Sequence, residues 1–559
     1  MRIVSCLYFL TVLTAGYALP FKENHRQNTS TPSAQILNGT VVGKYIEGFD
    51  QDAFLGIRFA QPPVGSKRFM NPVSLNSKFD GDIFEATEYS DACYDLGLFG
   101  DNKGLPRSED CLTLNIVKPS TNATSLPVAV WIHGGGFSDG SSRRDVYNLS
   151  YIVQNGMEQG KPFIGVSINY RLGGFGFLKG DELLKLGNTN VGLRDQLKAL
   201  EWLNENIAGF GGDPNHIVIW GESAGATSVG LHLISGKLGH FIKGAIMESG
   251  TARLPGIFGE TMAEDNENVY QNISLYFNCT GNSSLSCLQG VNASHLNKVF
   301  SGKTKALTKS VNSFPFIDGD YIPYFPSIRM VDPAVIPDIP IIVGTNTEEG
   351  KAFSKIGLNT TSGVADAMRK QFPLLRNSSI SKILELYPEG NGKVSGSNLT
   401  IPAYYGKQYS RISSIFGDIM MMAQARAVAS DWANKLIEVY KYRWNVADKG
   451  VSPIVGATHF QEVVYVFDNP SDHFVTASPW NEDKSSSELA KLISSQWVSF
   501  FSTLNPNNHG IENAPVWEKY LKDQKNFVYE LQGKSHLEDD NFREEAIDYI
   551  IDLGPQCGC

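Results

Sequence analysis

Ile217-Val218-Ile219-Trp220-Gly221-Glu222-Ser223-Ala224-Gly225 is the stretch on which the reading of this chain turns. Four apolar residues make a strand candidate, Gly-x-Ser-x-Gly forces a sharp turn, and Ala224 to Ile234 can continue as a helix. A serine at such a turn takes a strained backbone conformation, and flanking glycines leave room for it against neighbouring chain. The turn lifts the Ser223 hydroxyl above the sheet edge and sets the N–H of Ala224 beside any oxyanion forming there. A structural turn with an incidental serine is the competing reading, so the flanking sequence has to decide.

Upstream, Trp131-Ile132-His133-Gly134-Gly135-Gly136-Phe137 follows a strand candidate that begins at Val128. Glycines let the backbone N–H groups of Gly135 and Gly136 approach a substrate oxygen without side-chain obstruction, and each such donor can contribute roughly 3–4 kcal/mol to a transition state. A phosphate-binding loop is excluded, because no Lys-Ser/Thr follows and the spacing is not Gly-x-Gly-x-x-Gly. Loop and elbow together point to acyl transfer at an ester, with Gly135, Gly136 and Ala224 as oxyanion donors.

Further out, Val128–Ile132, Phe163–Ile168, Gly244–Met247 and Ile339–Val343 are short apolar runs that read as buried strands. Between Val191 and Ile207, Leu193, Leu197, Leu200, Leu203 and Ile207 recur at spacings of three and four, one face of a helix. Strands alternating with helices predict an α/β protein with a large, mostly parallel central sheet covered on both faces. The segments from about Leu254 to Pro337 and from Phe353 to about Arg426 interrupt this rhythm. They are expected to form helices and loops over the strand ends, where pockets lie. No internal repeat is present, and residues 19–559 read as one elaborated domain.

A net charge of −10 argues against nucleic acid as a partner, since phosphates demand a basic surface. Arg2, the apolar run Ile3–Leu13 and Gly16-Tyr17-Ala18 have the form of a signal peptide spanning residues 1–18. That run is shorter than the roughly 20 residues a membrane-spanning helix needs, so secretion without membrane insertion is expected. Sequons at Asn28, Asn38, Asn122, Asn148, Asn272, Asn278, Asn282, Asn292, Asn359, Asn377 and Asn398 predict N-linked glycans. Once Cys6 leaves with the signal, Cys93, Cys111, Cys279, Cys287, Cys557 and Cys559 form an even set, as disulfides in an exported protein require. Phe21 to Asn38 is polar and is expected to be a mobile N-terminus.

Four longer motifs extend the pattern. They are Leu55-Gly56-Ile57-Arg58-Phe59-Ala60-Gln61-Pro62-Pro63-Val64-Gly65, Glu109-Asp110-Cys111-Leu112-Thr113-Leu114-Asn115, Asn169-Tyr170-Arg171-Leu172 and Phe210-Gly211-Gly212-Asp213-Pro214-Asn215. With the elbow, they resemble the type-B carboxylesterase/lipase family, which includes cholinesterases and secreted fungal lipases. The match is dense in the N-terminal half and sparse in the C-terminal half. The resemblance implies the α/β-hydrolase fold and a serine, an acid and a histidine in that chain order. The acid directly precedes a glycine in Gly344-Thr345-Asn346-Thr347-Glu348-Glu349-Gly350, which selects Glu349 over its neighbour Glu348. The histidine is His459, in Gly456-Ala457-Thr458-His459-Phe460-Gln461-Glu462. The resemblance also implies disulfides Cys93–Cys111 and Cys279–Cys287; Cys557 and Cys559 have no counterpart in it.

Other histidines take structural readings. His133 shapes the glycine loop, His216 and His232 flank the elbow, and His473, His509 and His536 sit in polar surroundings expected at the surface. No pair has metal-ligand spacing with Cys or carboxylates, so neither metal nor cofactor is expected. In relatives the Cys93–Cys111 loop corresponds to a lid or gorge lining. Here Tyr94–Asp110 is short and charged, with little room for a large interfacial helix. That favours small or medium soluble esters over acylglycerols or sterol esters. The loop also lacks the Trp with which cholinesterases hold a quaternary ammonium, against choline specificity. A non-catalytic adhesion or binding protein of the same family is the competing class, and an intact Ser223, Glu349 and His459 argue against it; a serine peptidase or amidase on the same sheet has no positive sequence feature.

Overall fold

Val128, Val130 and Ile132 face one apolar layer while Ala129 and Trp131 face another, and all five are buried. A strand buried on both faces needs helices above and below it. The computed structural model describes residues 31–255, 263–390, 399–447, 450–470, 484–521 and 523–558. The expected signal segment 1–18, the sequons at Asn28 and Asn398, His473 and Cys559 lie outside these residues.

Among the described residues the main sheet has 11 strands. They are β1 (Lys44–Ile46), β2 (Gln51–Arg58), β3 (Thr113–Pro119), β4 (Leu126–Ile132), β5 (Ile164–Ile168), β6 (Gly212–Glu222), β7 (Ile242–Glu248), β8 (Ile341–Asn346), β9 (Val439–Trp444), β10 (Lys525–Tyr529) and β11 (His536–Asp539). Their order in space is β1-β2-β3-β5-β4-β6-β7-β8-β9-β10-β11. Neighbours from β5 to β10 run parallel, and the edges β1, β2, β3 and β11 pair antiparallel. The sheet is mostly parallel as expected, with antiparallel margins.

Helices α1 (Leu149–Glu158), α2 (Val191–Asn206), α3 (Ala224–Ser235), α4 (Ala423–Asn434), α5 (Lys484–Thr503) and α6 (Glu544–Leu553) cover it. Side chains of α1 and α5 join the apolar layer of Ala129 and Trp131, and those of α2, α3, α4 and α6 join the layer of Val130. From Thr31 onward the chain forms one compact unit. The first interruption carries helices Ser284–Gly290 and Ala293–Phe300, which share an apolar cluster with Phe69, Leu96 and Phe175. The second carries Thr361–Gln371, Asn377–Leu386 and Tyr409–Gly417.

The long motifs are held by ion pairs, two of them buried. Arg171 meets Asp195 of α2 through two side-chain hydrogen bonds of 2.7 Å. Arg68 makes two 2.6 Å bonds to Glu109, and Arg58 grips Asp110. Cutting one partner of a pair as buried as Arg171–Asp195 costs about 3–5 kcal/mol, because the other charge is stranded. Both expected disulfides, Cys93–Cys111 and Cys279–Cys287, are formed, and Cys557 is buried.

One expectation fails at the N-terminus. Ser33–Ile36 is a strand paired with Gly39–Val42, not a mobile tail. Ala34 and Ile36 are buried while Ser33 and Gln35 face out, so the polar residues that suggested mobility are the outer face of a hairpin.

Candidate functional site

β6 ends at Glu222 and α3 starts at Ala224, which leaves Ser223 alone to turn the chain. Its φ of 55° and ψ of −120° lie outside the regions an L-residue prefers. Neighbouring hydrogen bonds hold the strain: Ser223 N–H donates to Glu248 O at 2.8 Å, and Thr227 N–H to Ser223 O at 2.9 Å. Gly225 explains the second glycine of the elbow, since a Cβ there would stand 1.9 Å from Ile132 O. The helix can thus press against the end of β4, next to the glycine loop.

β8 leads into the expected acid. Glu349 is buried, and its Oε1 accepts from Asn346 N–H at 2.7 Å while Oε2 lies 2.7 Å from His459 Nδ1. The adjacent Glu348 instead pairs with Lys351 at 3.1 Å. Phe353 packs edge-on against the His459 ring at 4.9 Å. The ring's other nitrogen, Nε2, stands 3.2 Å from Glu222 Oε1. Among the described residues no hydrogen bond joins Ser223 Oγ to His459.

Two buried glutamates, Glu222 and Glu462, act on this pair beyond what the sequence indicated, and a third, Glu248, acts on both of them. Glu462 accepts from Asn346 Nδ2 at 2.6 Å and from Ser249 Oγ at 3.2 Å. Glu248 accepts from Trp497 Nε1 at 2.8 Å. Glu222 and Glu248 are pushed well above the usual carboxylate range by burial, and Glu462 is lifted to about 7 by burial and by Glu349. Burial alone would pull His459 down, but Glu222, Glu349 and Glu462 outweigh it and raise the ring to about 9. Glu248 had one legible signal, a carboxylate closing the apolar run Ile246-Met247; Glu462 lies three residues after His459.

The glycine loop is braced from below. His133 stacks on Tyr170 at 4.5 Å, and Tyr170 hydroxyl donates to His133 O at 2.9 Å. Burial lowers the His133 pKa to about 4, so the ring is neutral and its Nδ1–H donates to Gly134 O at 2.9 Å. Gly135 and Gly136 have φ of 99° and 59°. Among the described residues, the N–H groups of Gly135, Gly136 and Ala224 donate to no protein acceptor.

The Cys93–Cys111 loop lies against this glycine loop. Phe99, 61% exposed, brings its ring within 3.3 Å of where a Cβ on Gly136 would sit. His216 Nε2 bonds Phe501 O, and buried His232 sits between Tyr321 and Gln196. His536 is exposed, but His509 is buried rather than at the surface. Its Nδ1 accepts from Ile511 N–H at 3.0 Å, a local turn bond that lets a polar residue go inside. Asn122, Asn272, Asn278, Asn292, Asn359 and Asn377 are exposed. Asn38 is not: it is buried, and its Nδ2 donates to Leu75 O and Ser77 O. Among the described residues no group of His, Cys, Asp and Glu is arranged to hold a metal ion, and no helix is long and apolar enough to cross a membrane.

Comparison with known proteins places these features in company. The sequence profile of the carboxylesterase family matches residues 30–550. Lipase 4 of Diutina rugosa is 29% identical, the alignment covering 93% of this chain and 96% of that protein. A secreted triacylglycerol lipase of Gibberella zeae is also 29% identical, over 92% of this chain and 89% of its own. The crystal structure of Aspergillus niger EstA superposes with a TM-score of 0.82 at 27% identity, covering 95% of this chain and 99% of that one.

Proposed function

The chain belongs to the carboxylesterase family of carboxylic-ester hydrolases, with the α/β-hydrolase fold, and from that premise we propose that it is a secreted serine esterase of small or medium esters. Ser223 is the nucleophile, His459 the general base and Glu349 the acid that orients it. The observation that carries this reading is the 2.7 Å contact between Glu349 Oε2 and His459 Nδ1, one residue away from the strained elbow through Glu222. That contact keeps the proton on Nδ1 and leaves Nε2 to serve as base.

In the reaction, the His459 ring turns Nε2 from Glu222 to Ser223 and takes the hydroxyl proton as Oγ attacks the ester carbonyl. Such bonds are commonly long in unliganded enzymes and tighten with substrate bound. The N–H groups of Gly135, Gly136 and Ala224 receive the oxyanion. His459 then protonates the leaving alcohol, and water releases the acyl group by the same route. No cofactor enters this scheme. Replacing Ser223 with Ala is expected to cut turnover of a nitrophenyl ester at least about 10⁴-fold. Labelling by a fluorophosphonate should vanish with it, and hydrolysis that survives in the folded variant would refute the assignment.

A second reading has one observation behind it. Leu98 and Phe99 are 50% and 61% exposed at the rim, an apolar edge that could meet an acylglycerol surface. Comparing dissolved tributyrin with its emulsion separates the readings: a sharp rise on emulsification favours the lipase.

A further inference from the structure

The Cys93–Cys111 loop and the glycine loop are joined through one side chain. Asp139 is completely buried. Its Oδ1 accepts from Gly97 N–H at 2.8 Å and its Oδ2 from Phe99 N–H at 2.5 Å. Its backbone is bound to the glycine loop: Asp139 N–H donates to Gly135 O at 2.9 Å, and a Cβ on Gly135 would stand 2.2 Å from Asp139 O. The residues on either side repeat the pattern. Leu96 N–H donates to Ser138 O at 3.0 Å, and Asn102 Nδ2 donates to Gly140 O at 2.9 Å.

Two backbone N–H groups on one carboxylate make a strong, directional clamp, because each bond is charge-assisted. The loop is tied at its far side as well. Asp95 pairs with Arg107 at 3.0 Å, its backbone oxygen accepts from Asn297 Nδ2 at 2.7 Å, and Asp101 lies 3.4 Å from Arg144. A swinging lid needs a segment with few internal bonds. This segment is held at both sides, and the clamp on the glycine loop falls within four residues of the donors at Gly135 and Gly136.

We propose that Asp139 is a positioning residue that locks the rim loop to the oxyanion loop, so that one carboxylate sets both the aim of the Gly135 and Gly136 N–H groups and the place of Phe99 over the site. It touches no substrate. It keeps the donors aimed and the rim closed to large or interfacial substrates. This rests on the assignment of those N–H groups as oxyanion donors.

The test uses the full-length enzyme and variants Asp139→Asn and Asp139→Ala, with folding checked by circular dichroism and thermal melting. Asn keeps an acceptor for one N–H and loses the other; Ala loses both. For a short soluble nitrophenyl ester, kcat should fall up to about 100-fold in the Ala variant, the scale of a 1 Å misplacement. Asn should fall between Ala and wild type, with KM within about twofold for all three, since the ground-state carbonyl depends little on the hole. Emulsified tributyrin should meanwhile gain relative to the soluble ester as the rim comes free. Folded variants with unchanged kcat and an unchanged emulsion ratio would overturn the proposal. So would a loss through KM alone, the sign of a site damaged as a whole. If Ala does not fold, the Asn variant carries the same two readouts. Fluorophosphonate labelling of wild type separates this from the underlying reading: labelled wild type with silent Asp139 variants refutes only the clamp, and unlabelled wild type refutes the serine mechanism itself.

Discussion

Replacing Glu222 with Gln removes a carboxylate 3.2 Å from His459 Nε2 at nearly constant volume. Glu222 gives the largest upward push on a ring held at about 9 instead of its ordinary 6.5. That elevation corresponds to about 3 kcal/mol. A bare charge pair at 3.2 Å is worth about 5 kcal/mol at an effective dielectric near 20, and burial of the ring offsets part of it. With Glu349 and Glu462 still present, the ring should therefore drop by about one to two pKa units. The sign follows from the mechanism. The neutral ring is the competent base, so kcat/KM rises with pH through its pKa, and a lower pKa moves that rising limb to more acidic pH. The same carboxylate also stabilises imidazolium in the transition state, so the plateau should fall by about tenfold for each unit lost. The assay is kcat/KM for a soluble nitrophenyl ester across about pH 5 to 10, read at the isosbestic wavelength of nitrophenol. A limb that stays in place in the folded variant would refute the reasoning, because either Glu222 carries no charge against the ring or His459 is not the base.

Glu349→Gln should act through the tautomer instead. Asn346 N–H claims the amide oxygen, so the amide NH₂ faces His459 Nδ1 and forces the ring proton onto Nε2; kcat should fall about 10⁴-fold at nearly constant KM, and a milder loss would show that Glu349 does not orient the ring. Peptide mapping of protein expressed through a secretory pathway should find glycans among exposed Asn122, Asn272, Asn359 and Asn377 and none at Asn38, whose Nδ2 is already bonded to two backbone oxygens. A glycan on Asn38 in folded protein would contradict the N-terminal hairpin.

What could be read from the sequence was local. The elbow is a strand, a turn and a helix in contiguous residues, so its pattern survives in one dimension; the same holds for Gly134 to Gly136 after β4. Glu349 and Glu348 differ by one position and no periodicity separates them. In the structure Glu349 receives the Asn346 N–H and Glu348 the Lys351 ammonium, which supports Glu349. The Ser33–Ile36 strand was hidden because its outward residues are polar, and His509 because a single turn bond satisfies it.

Contacts between distant segments left no such trace. Asp139 clamps N–H groups about forty residues upstream, and backbone N–H groups have no residue type to betray them. Glu222 ends β6 and Glu462 follows the histidine loop, yet both act on the same ring, and Glu248 at the end of β7 acts on both of them. Their convergence is a product of parallel topology, which brings the C-terminal ends of successive strands to one edge of the sheet. A buried set of carboxylates around one imidazole is costly unless the site holds protons between them. Burial pushes Glu222, Glu248 and Glu462 upward, in the direction of holding a proton. In the proposed mechanism the energetic consequence is specific: positive charge forming on His459 is welcomed by more than the one acid that sequence order picks out. Glu349 fixes the direction of the ring, and the surrounding carboxylates set how readily it holds a proton.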